Sequence, residues 1–153
     1  MKSILAAIVL FVFVMIGLPL QTQAAGDMVS YARVMDDGSL IVKGRTIWLY
    51  GIYIPSTDRT CRTYEFPVRC GPRAILALDF KIEPHFVDCE VQWENDDGSI
   101  TALCKVKGED LSAWMLQSGW AAALPDAPFA YQLLEKIART KGQGIWGTII
   151  DRR

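Results

Sequence analysis

The stretch His85-Phe86-Val87-Asp88-Cys89-Glu90-Val91-Gln92-Trp93-Glu94-Asn95-Asp96-Asp97-Gly98-Ser99-Ile100-Thr101-Ala102-Leu103-Cys104-Lys105-Val106 carries two alternating runs around an acidic tip. In His85–Trp93, Val87, Cys89, Val91 and Trp93 share one face, and Asp88, Glu90 and Gln92 point the other way. In Ser99–Val106, Ile100, Ala102, Cys104 and Val106 share a face. Strict alternation of this kind marks half-buried strands. Closing the hairpin with Asp96-Asp97 at its tip sets Trp93 opposite Ile100, Val91 opposite Ala102, Cys89 opposite Cys104 and Val87 opposite Val106. A slip of one residue would turn one apolar set outward, so burial fixes the register. The register predicts a Cys89–Cys104 disulfide and leaves Cys61 to pair with Cys70.

Outward from this hairpin the chain reads as one compact unit with no linker or internal repeat. Met28–Met35 predicts a first strand, Asp36-Asp37-Gly38-Ser39 a turn and Leu40-Ile41-Val42 a second strand. Lys43-Gly44-Arg45 is the next turn, Thr46–Ile52 a third strand and Pro55–Val68 a loop. Ala74, Ile75 and Leu78 carry helical spacing from Gly71, with Pro72 tolerated in the first turn. His85 falls on the inward face of its strand, as a packing residue. Gly108-Glu109-Asp110 opens a second helix, buried through Leu111, Trp114 and Met115 and followed by Gly119. Asp126 caps a third, with Phe129, Leu133 and Ile137 spaced by four and Gly142 after its last turn. Three strands, a helix, a hairpin and two helices predict an α+β fold, an OB-fold five-stranded β-barrel with three helices.

The N-terminus sets the compartment. Lys2 precedes an apolar run from Ile4 to Leu18, then Pro19 and small residues up to Ala24-Ala25-Gly26. That pattern predicts a signal peptide over residues 1–24 and a domain over 25–153; an uncleaved anchor is the other reading, and the run is short for a membrane span. Of 153 residues, 16 are Lys or Arg and 17 Asp or Glu, and removing residues 1–24 takes away only Lys2. The remaining balance is slightly acidic, against the basic excess typical of proteins that bind nucleic acid through phosphates. Export to the periplasm or the medium makes disulfides the expected state of Cys61, Cys70, Cys89 and Cys104. A four-thiolate zinc site is the rival, but no pair has the short spacing that chelates a tetrahedral ion.

Several runs resemble the staphylococcal-nuclease-like (thermonuclease) family over Tyr31 to Trp146. They are Leu49-Tyr50-Gly51-Ile52-Tyr53-Ile54-Pro55, Cys70-Gly71 with Ala74 and Leu78, the pair Cys89 and Cys104, and Tyr131, Glu135, Ala138 and Arg139 ahead of Gly144-Ile145-Trp146. The resemblance implies the same OB-fold barrel. Active members hold Ca²⁺ with carboxylates, activate water with another carboxylate and clamp phosphate with two arginines, a set suited to phosphodiester cleavage. In this chain Gly38 and Tyr53 stand at the metal-ligand positions, Ser56 at the base, and Trp48 and Ser99 at the arginines. Losing one such group commonly costs about 10²–10³ in rate, and cooperating groups fail together. The resemblance therefore implies no catalysis of the family's kind, no metal and no cofactor. Asp37 sliding into the metal site and Arg45 reaching toward phosphate would be needed for the alternative, a Ca²⁺-dependent phosphodiester endonuclease with relocated residues.

The expected role is that of an exported accessory or binding protein in the cell envelope, in extracellular polysaccharide (succinoglycan-type) biosynthesis. Its expected partner is an acidic polysaccharide or an envelope biosynthesis or export complex. Nucleic acid is disfavoured, and the membrane is met only through the signal peptide during export. Candidate ligand-binding residues are Trp48, Tyr50 and Tyr53, whose faces suit sugar rings, with Arg45 and Arg59 at the rim. The same aromatics also serve as packing in space vacated by charged groups. Trp114, Trp120 and Trp146 either join helices to barrel or mark an interaction surface.

Overall fold

The computed structural model describes residues 28–55, 60–61 and 68–147. The segment expected to be a signal peptide, Ser56, Arg59 and the side chain of Cys61, with its expected pairing to Cys70, lie outside the described residues. Cys70 itself is disulfide-bonded.

The strands are β1 (Met28–Ser30), β2 (Ala32–Val34), β3 (Leu40–Val42), β4 (Arg45–Leu49), β5 (Ile52–Tyr53), β6 (Thr60–Cys61), β7 (Val68–Arg69), β8 (Val87–Glu94), β9 (Ile100–Val106), β10 (Glu109–Asp110) and β11 (Ala122–Ala123). The helices are α1 (Cys70–Ile82), α2 (Leu111–Gln117) and α3 (Phe129–Lys141), and a 3-10 turn covers Gly144–Trp146.

The β8–β9 hairpin is the centre of the sheet. Val87 faces Val106, Cys89 faces Cys104 and Val91 faces Ala102, as the alternation predicts. Cys89 and Cys104 form a disulfide across a Cα separation of 4.0 Å. The fourth pair departs from expectation: Trp93 faces Thr101, and Glu94 faces Ile100. The reason is a tighter tip. Asn95 N–H donates to the Ser99 carbonyl at 2.8 Å and Gly98 N–H to the Asn95 carbonyl at 2.9 Å, so pairing starts one residue nearer the tip. Gln92 becomes the extra residue of a bulge, which re-aims the strand. Trp93 is turned outward and is 48% exposed, while Ile100 stays buried.

The sheet runs β1-β8-β9-β4-β3-β2, with β10 added to β9. β1 and β2 are the two parts of the predicted first strand, divided at Tyr31, and they pair with opposite ends of the sheet. The sheet therefore curls into a nearly closed barrel, and closure removes the open edges that invite aggregation. The architecture is mixed α+β, a nearly closed barrel with three helices, compatible with an OB-like fold. The main sheet contains seven strand segments rather than five, because the first strand is split and β10 adds one. The predicted third strand stops at Leu49, and after a turn at Tyr50-Gly51 the chain resumes as β5, paired with β11.

The barrel interior holds Leu40, Val42, Ile47, Val87 and Ile100, against which α1 sets Leu78 and α2 sets Leu111 and Met115, all at most 1% exposed. Each such side chain contributes about 1.5–3 kcal/mol by leaving water. Asp110 caps α2, its Oδ1 accepting from Ser112 N–H at 2.8 Å and Ala113 N–H at 3.3 Å. Glu109-Asp110 first pairs with Lys105-Val106 as β10, so the helix starts one step later than expected.

α3 corrects two expectations. Its first-turn boundary is Pro128, with no side-chain cap, so Asp126 does not cap it. Its buried residues are Tyr131 and Ala138, and Phe129, Leu133 and Ile137 face outward. Gly142 ends the helix in the left-handed conformation, as expected. His85 lies ahead of β8, half-buried, its N–H donating to the Ile82 carbonyl. Trp114, Trp120 and Trp146 are half-buried; the first two pack on the core, and Trp146 lies under the Arg139 guanidinium at 3.8 Å. Trp114 and Trp120 join helices to the barrel core, whereas Trp146 packs among helical residues.

Candidate functional site: a cleft between two matching turns

The sequence Asp-Asp-Gly-Ser occurs at residues 36–39, between β2 and β3, and again at 96–99, between β8 and β9. The two turns fold alike. Asp37 Oδ1 accepts from Ser39 N–H at 2.9 Å and Ser39 Oγ–H at 2.7 Å; Asp97 Oδ1 accepts from Ser99 N–H at 2.9 Å and Ser99 Oγ–H at 2.6 Å. Each serine hydroxyl and amide holds its aspartate below 3.8, the ordinary aspartate value. Gly38 and Gly98 both adopt positive φ, +86° and +79°.

Their surroundings differ. A Cβ at Gly38 would lie 2.8 Å from Ile54 Cδ1, whereas a Cβ at Gly98 would meet nothing within 4 Å. The position where the resemblance places a metal-binding acid is thus one where a side chain meets both steric conflict and backbone strain.

Two adjoining depressions lie beside these turns. A cleft of about 90 Å³ is lined by Asp37, Gly38, Trp48, Leu49, Ile52, Tyr53 and Ile54. A wider, shallower groove of about 510 Å³ is lined by Asp37, Gly44, Arg45, Thr46, Trp48, Asp97, Gly98 and Ser99. Trp48 borders both and is 38% exposed. β4 makes this possible: Ile47 and Leu49 point into the core, so Trp48 between them points out. Arg45, two residues before Ile47, forms an exposed ion pair with Glu94 at 3.1 Å.

The structure therefore gathers Gly38, Trp48 and Tyr53 around one cleft and Arg45, Trp48 and Ser99 around the neighbouring groove. Tyr50 sits elsewhere. It lies beyond the end of β4, its ring edge-on to Trp93 at 5.6 Å and 6.3 Å from Tyr131. The alternation of β4 does not continue to it, because Tyr50 belongs to the turn that precedes β5.

Asn95 escaped the sequence reading, and Asp97 entered it only as part of the acidic hairpin tip. Asn95 Nδ2 donates to Ser99 Oγ at 2.9 Å and to Thr101 Oγ1 at 3.2 Å, and its Oδ1 accepts from Trp93 Nε1 at 3.0 Å. This amide braces the second turn. The verbatim recurrence of Asp-Asp-Gly-Ser is the signal that would have pointed to the paired turns.

The residues present do not fit Ca²⁺ as the family holds it. Gly38 offers no side-chain oxygen, Tyr53 presents a phenol, and Asp37 Oδ1 is committed to Ser39. Among the described residues no three His, Cys, Asp or Glu side chains gather in a metal-holding group. Among them, too, no helix is long and apolar enough to cross a membrane. What the arrangement supplies is an exposed aromatic face, hydroxyl and carboxylate acceptors, and one guanidinium at the rim. Compared with family models the chain matches none, and compared with curated proteins it matches none.

Proposed function

We propose that the chain is an exported, degenerate relative of the staphylococcal-nuclease-like family, a non-catalytic binding or accessory protein of the cell envelope. In this reading its cleft takes extracellular polysaccharide, in succinoglycan-type biosynthesis. The supporting observation is that Gly38, Trp48, Tyr53 and Ser99, which replace acid and guanidinium groups, lie along adjoining depressions beside the two matching turns. A sugar ring would stack on Trp48 or Tyr53 while its hydroxyls meet Asp37 or Ser99. For an acidic polysaccharide, Arg45 would exchange Glu94 for a ligand carboxylate. An exposed ion pair is worth about 0–1 kcal/mol, so that exchange costs little.

The second reading, a Ca²⁺-dependent endonuclease with relocated residues, draws on the presence of Asp37, Asp97 and Arg45 around one groove. Against it, each aspartate spends Oδ1 on its serine, and Gly38 and Tyr53 offer no carboxylate beside them. One experiment separates the two. The mature protein is incubated with single-stranded DNA, with Ca²⁺ or with EDTA, and titrated in parallel with an acidic glycan such as alginate. Glycan binding without cleavage supports the proposal, and chelator-sensitive cleavage at family-like rates rejects it.

A further inference from the structure

We infer that the polysaccharide site continues across the barrel face to a second aromatic platform, Trp93, so that one sugar chain lays uncharged rings on Trp48 and on Trp93. The inference rests on the reading of the cleft as a polysaccharide site and extends it to a residue that lines neither depression. Register carries it. Thr101 on β9 is paired on one side with Trp48 of β4 and on the other with Trp93 of β8. Residues directly opposite one another in a sheet project from the same face. The two indoles therefore rise from one outer face with Thr101 between them, two strand spacings or about 10 Å apart. Trp48 is 38% and Trp93 48% exposed, whereas Thr101 is buried. The bulge at Gln92 supplies the second platform, because without it Trp93 would face Ile100 and point into the core.

Trp93 is held in place before any ligand arrives. Its Nε1–H donates to Asn95 Oδ1 at 3.0 Å, and the Tyr50 ring meets it at 5.6 Å with 82° between the planes. Both contacts fix the indole and leave half of it open to solvent. A side chain already immobilised loses little freedom on binding. Chemistry then selects the occupant. The face alternates flat apolar surface with polar groups, Thr101 between the indoles and Ser99 and Asp97 beside Trp48 in the groove. A sugar chain alternates in the same way, with C–H faces for the indoles and hydroxyls for the oxygen acceptors. The span leaves room for an intervening ring over Thr101. Single-stranded nucleic acid also stacks on aromatic pairs, but its phosphates would enter a groove where, among the described residues, Asp37 and Asp97 face one cation, Arg45, itself paired with Glu94. The same carboxylates disfavour acidic groups on the stacked rings, so an acidic substituent fits only at Arg45.

The test is an NMR titration of the mature protein, followed at the indole N–H resonances. The probes are cellobiose, short enough to cover one platform, and cellohexaose, long enough to span both, with alginate and single-stranded DNA in parallel. Cellohexaose should move the Trp48 and Trp93 resonances together and bind at least about tenfold more tightly than cellobiose, since the second contact is intramolecular. Trp93→Ala should erase that difference and leave cellobiose binding nearly unchanged. Trp93→Phe keeps a flat face and should retain most of the difference, with circular dichroism unchanged. If Trp48→Ala abolishes cellohexaose binding while both Trp93 variants leave it untouched, the second platform is overturned and the reading of the cleft stands. Alginate binding without cellohexaose binding likewise overturns the uncharged rings alone. Binding of neither glycan overturns both readings. DNA binding that depends on Trp93 assigns the platform to nucleic acid and overturns the inference.

Discussion

The hydroxyl of Tyr131, on α3, donates to Asp110 Oδ2, the carboxylate whose other oxygen caps α2. One buried side chain thus ties the third helix to the first turn of the second. The same ring passes the β4–β5 turn so closely that a Cβ at Gly51 would lie 3.0 Å from it. Three elements distant in sequence meet at one phenol. Tyr131→Phe keeps the packing and deletes the bond. A hydrogen bond to a charged group contributes about 1.5–3 kcal/mol, so the urea midpoint should fall by an equivalent amount. Asp110→Ala should cost more, since the cap is lost as well. A double-mutant cycle that finds no coupling between the two positions contradicts this account.

Tyr131 also makes the fold sensitive to alkali. Burial first, and the bond to Asp110 second, push its ionisation well above the ordinary tyrosine value of 10.0. The sign follows from linkage. Between the unfolded and folded values the folded state holds a proton that the unfolded state has lost, so stability is full below about pH 10 and declines above it. Urea unfolding at pH 9 and pH 11 should show this loss, and Tyr131→Phe should flatten the difference.

Much of the barrel was legible because burial and alternation constrain each other. Three cross-strand pairs of the central hairpin, including Cys89 with Cys104, follow from putting apolar residues on one face. Trp93 was not legible, because the tightness of the Asn95–Ser99 turn, and not hydrophobicity, decides where pairing begins. α3 misled in another way. Phe129, Leu133 and Ile137 make the larger apolar row, but the tight approach to α2 and to Gly51 is made by Tyr131, and the other buried residue of the helix is the small Ala138. Spacing alone does not tell which of two apolar rows meets the core. At the cleft, Trp48 could be placed from its buried neighbours on β4, whereas the cooperation of residues 36–39 with 96–99 depends on a parallel β4–β9 pairing that no local pattern announces.

The matching turns supply an internal control. Gly38→Ala and Gly98→Ala both force a side chain into the left-handed region, at about 1–2 kcal/mol each. Only Gly38→Ala also meets Ile54, 2.8 Å from the new Cβ. Gly38→Ala should therefore destabilise the protein modestly more than Gly98→Ala, by the cost of turning the Ile54 terminal methyl aside, about 0.5–1.5 kcal/mol. Pairing it with Ile54→Val should recover part of the difference. Equal losses at the two glycines would show that Ile54 yields freely.

The two aspartates should titrate as a matched pair. Serine donors hold Asp37 and Asp97 below the ordinary value, so the folded state releases these protons more readily than the unfolded chain. Their contribution is present above the unfolded pKa, near 3.9, and disappears as pH falls through the lower folded values. Carboxyl carbon shifts followed by NMR should place both midpoints below the ordinary aspartate value. Ser39→Ala should return Asp37 toward the ordinary range and leave Asp97 unmoved, and Ser99→Ala should do the converse. A shift at both aspartates from either substitution would mean that the turns are coupled through the groove.

The Cys89–Cys104 bridge closes a separation of 15 residues inside the hairpin that organises the sheet. On the loop-entropy account such a closure contributes about 3 kcal/mol, a large share of the roughly 5–15 kcal/mol that keeps a domain folded. Both cysteines are at most 1% exposed, so a reductant reaches them only when the hairpin opens. Replacing both by alanine should lower stability by about the loop term plus a smaller packing loss. In the wild type, thiol release under dithiothreitol should track unfolding and rise steeply with urea. Rapid reduction of this pair in the absence of denaturant, with the circular dichroism unchanged, would show that the hairpin opens without the rest of the barrel.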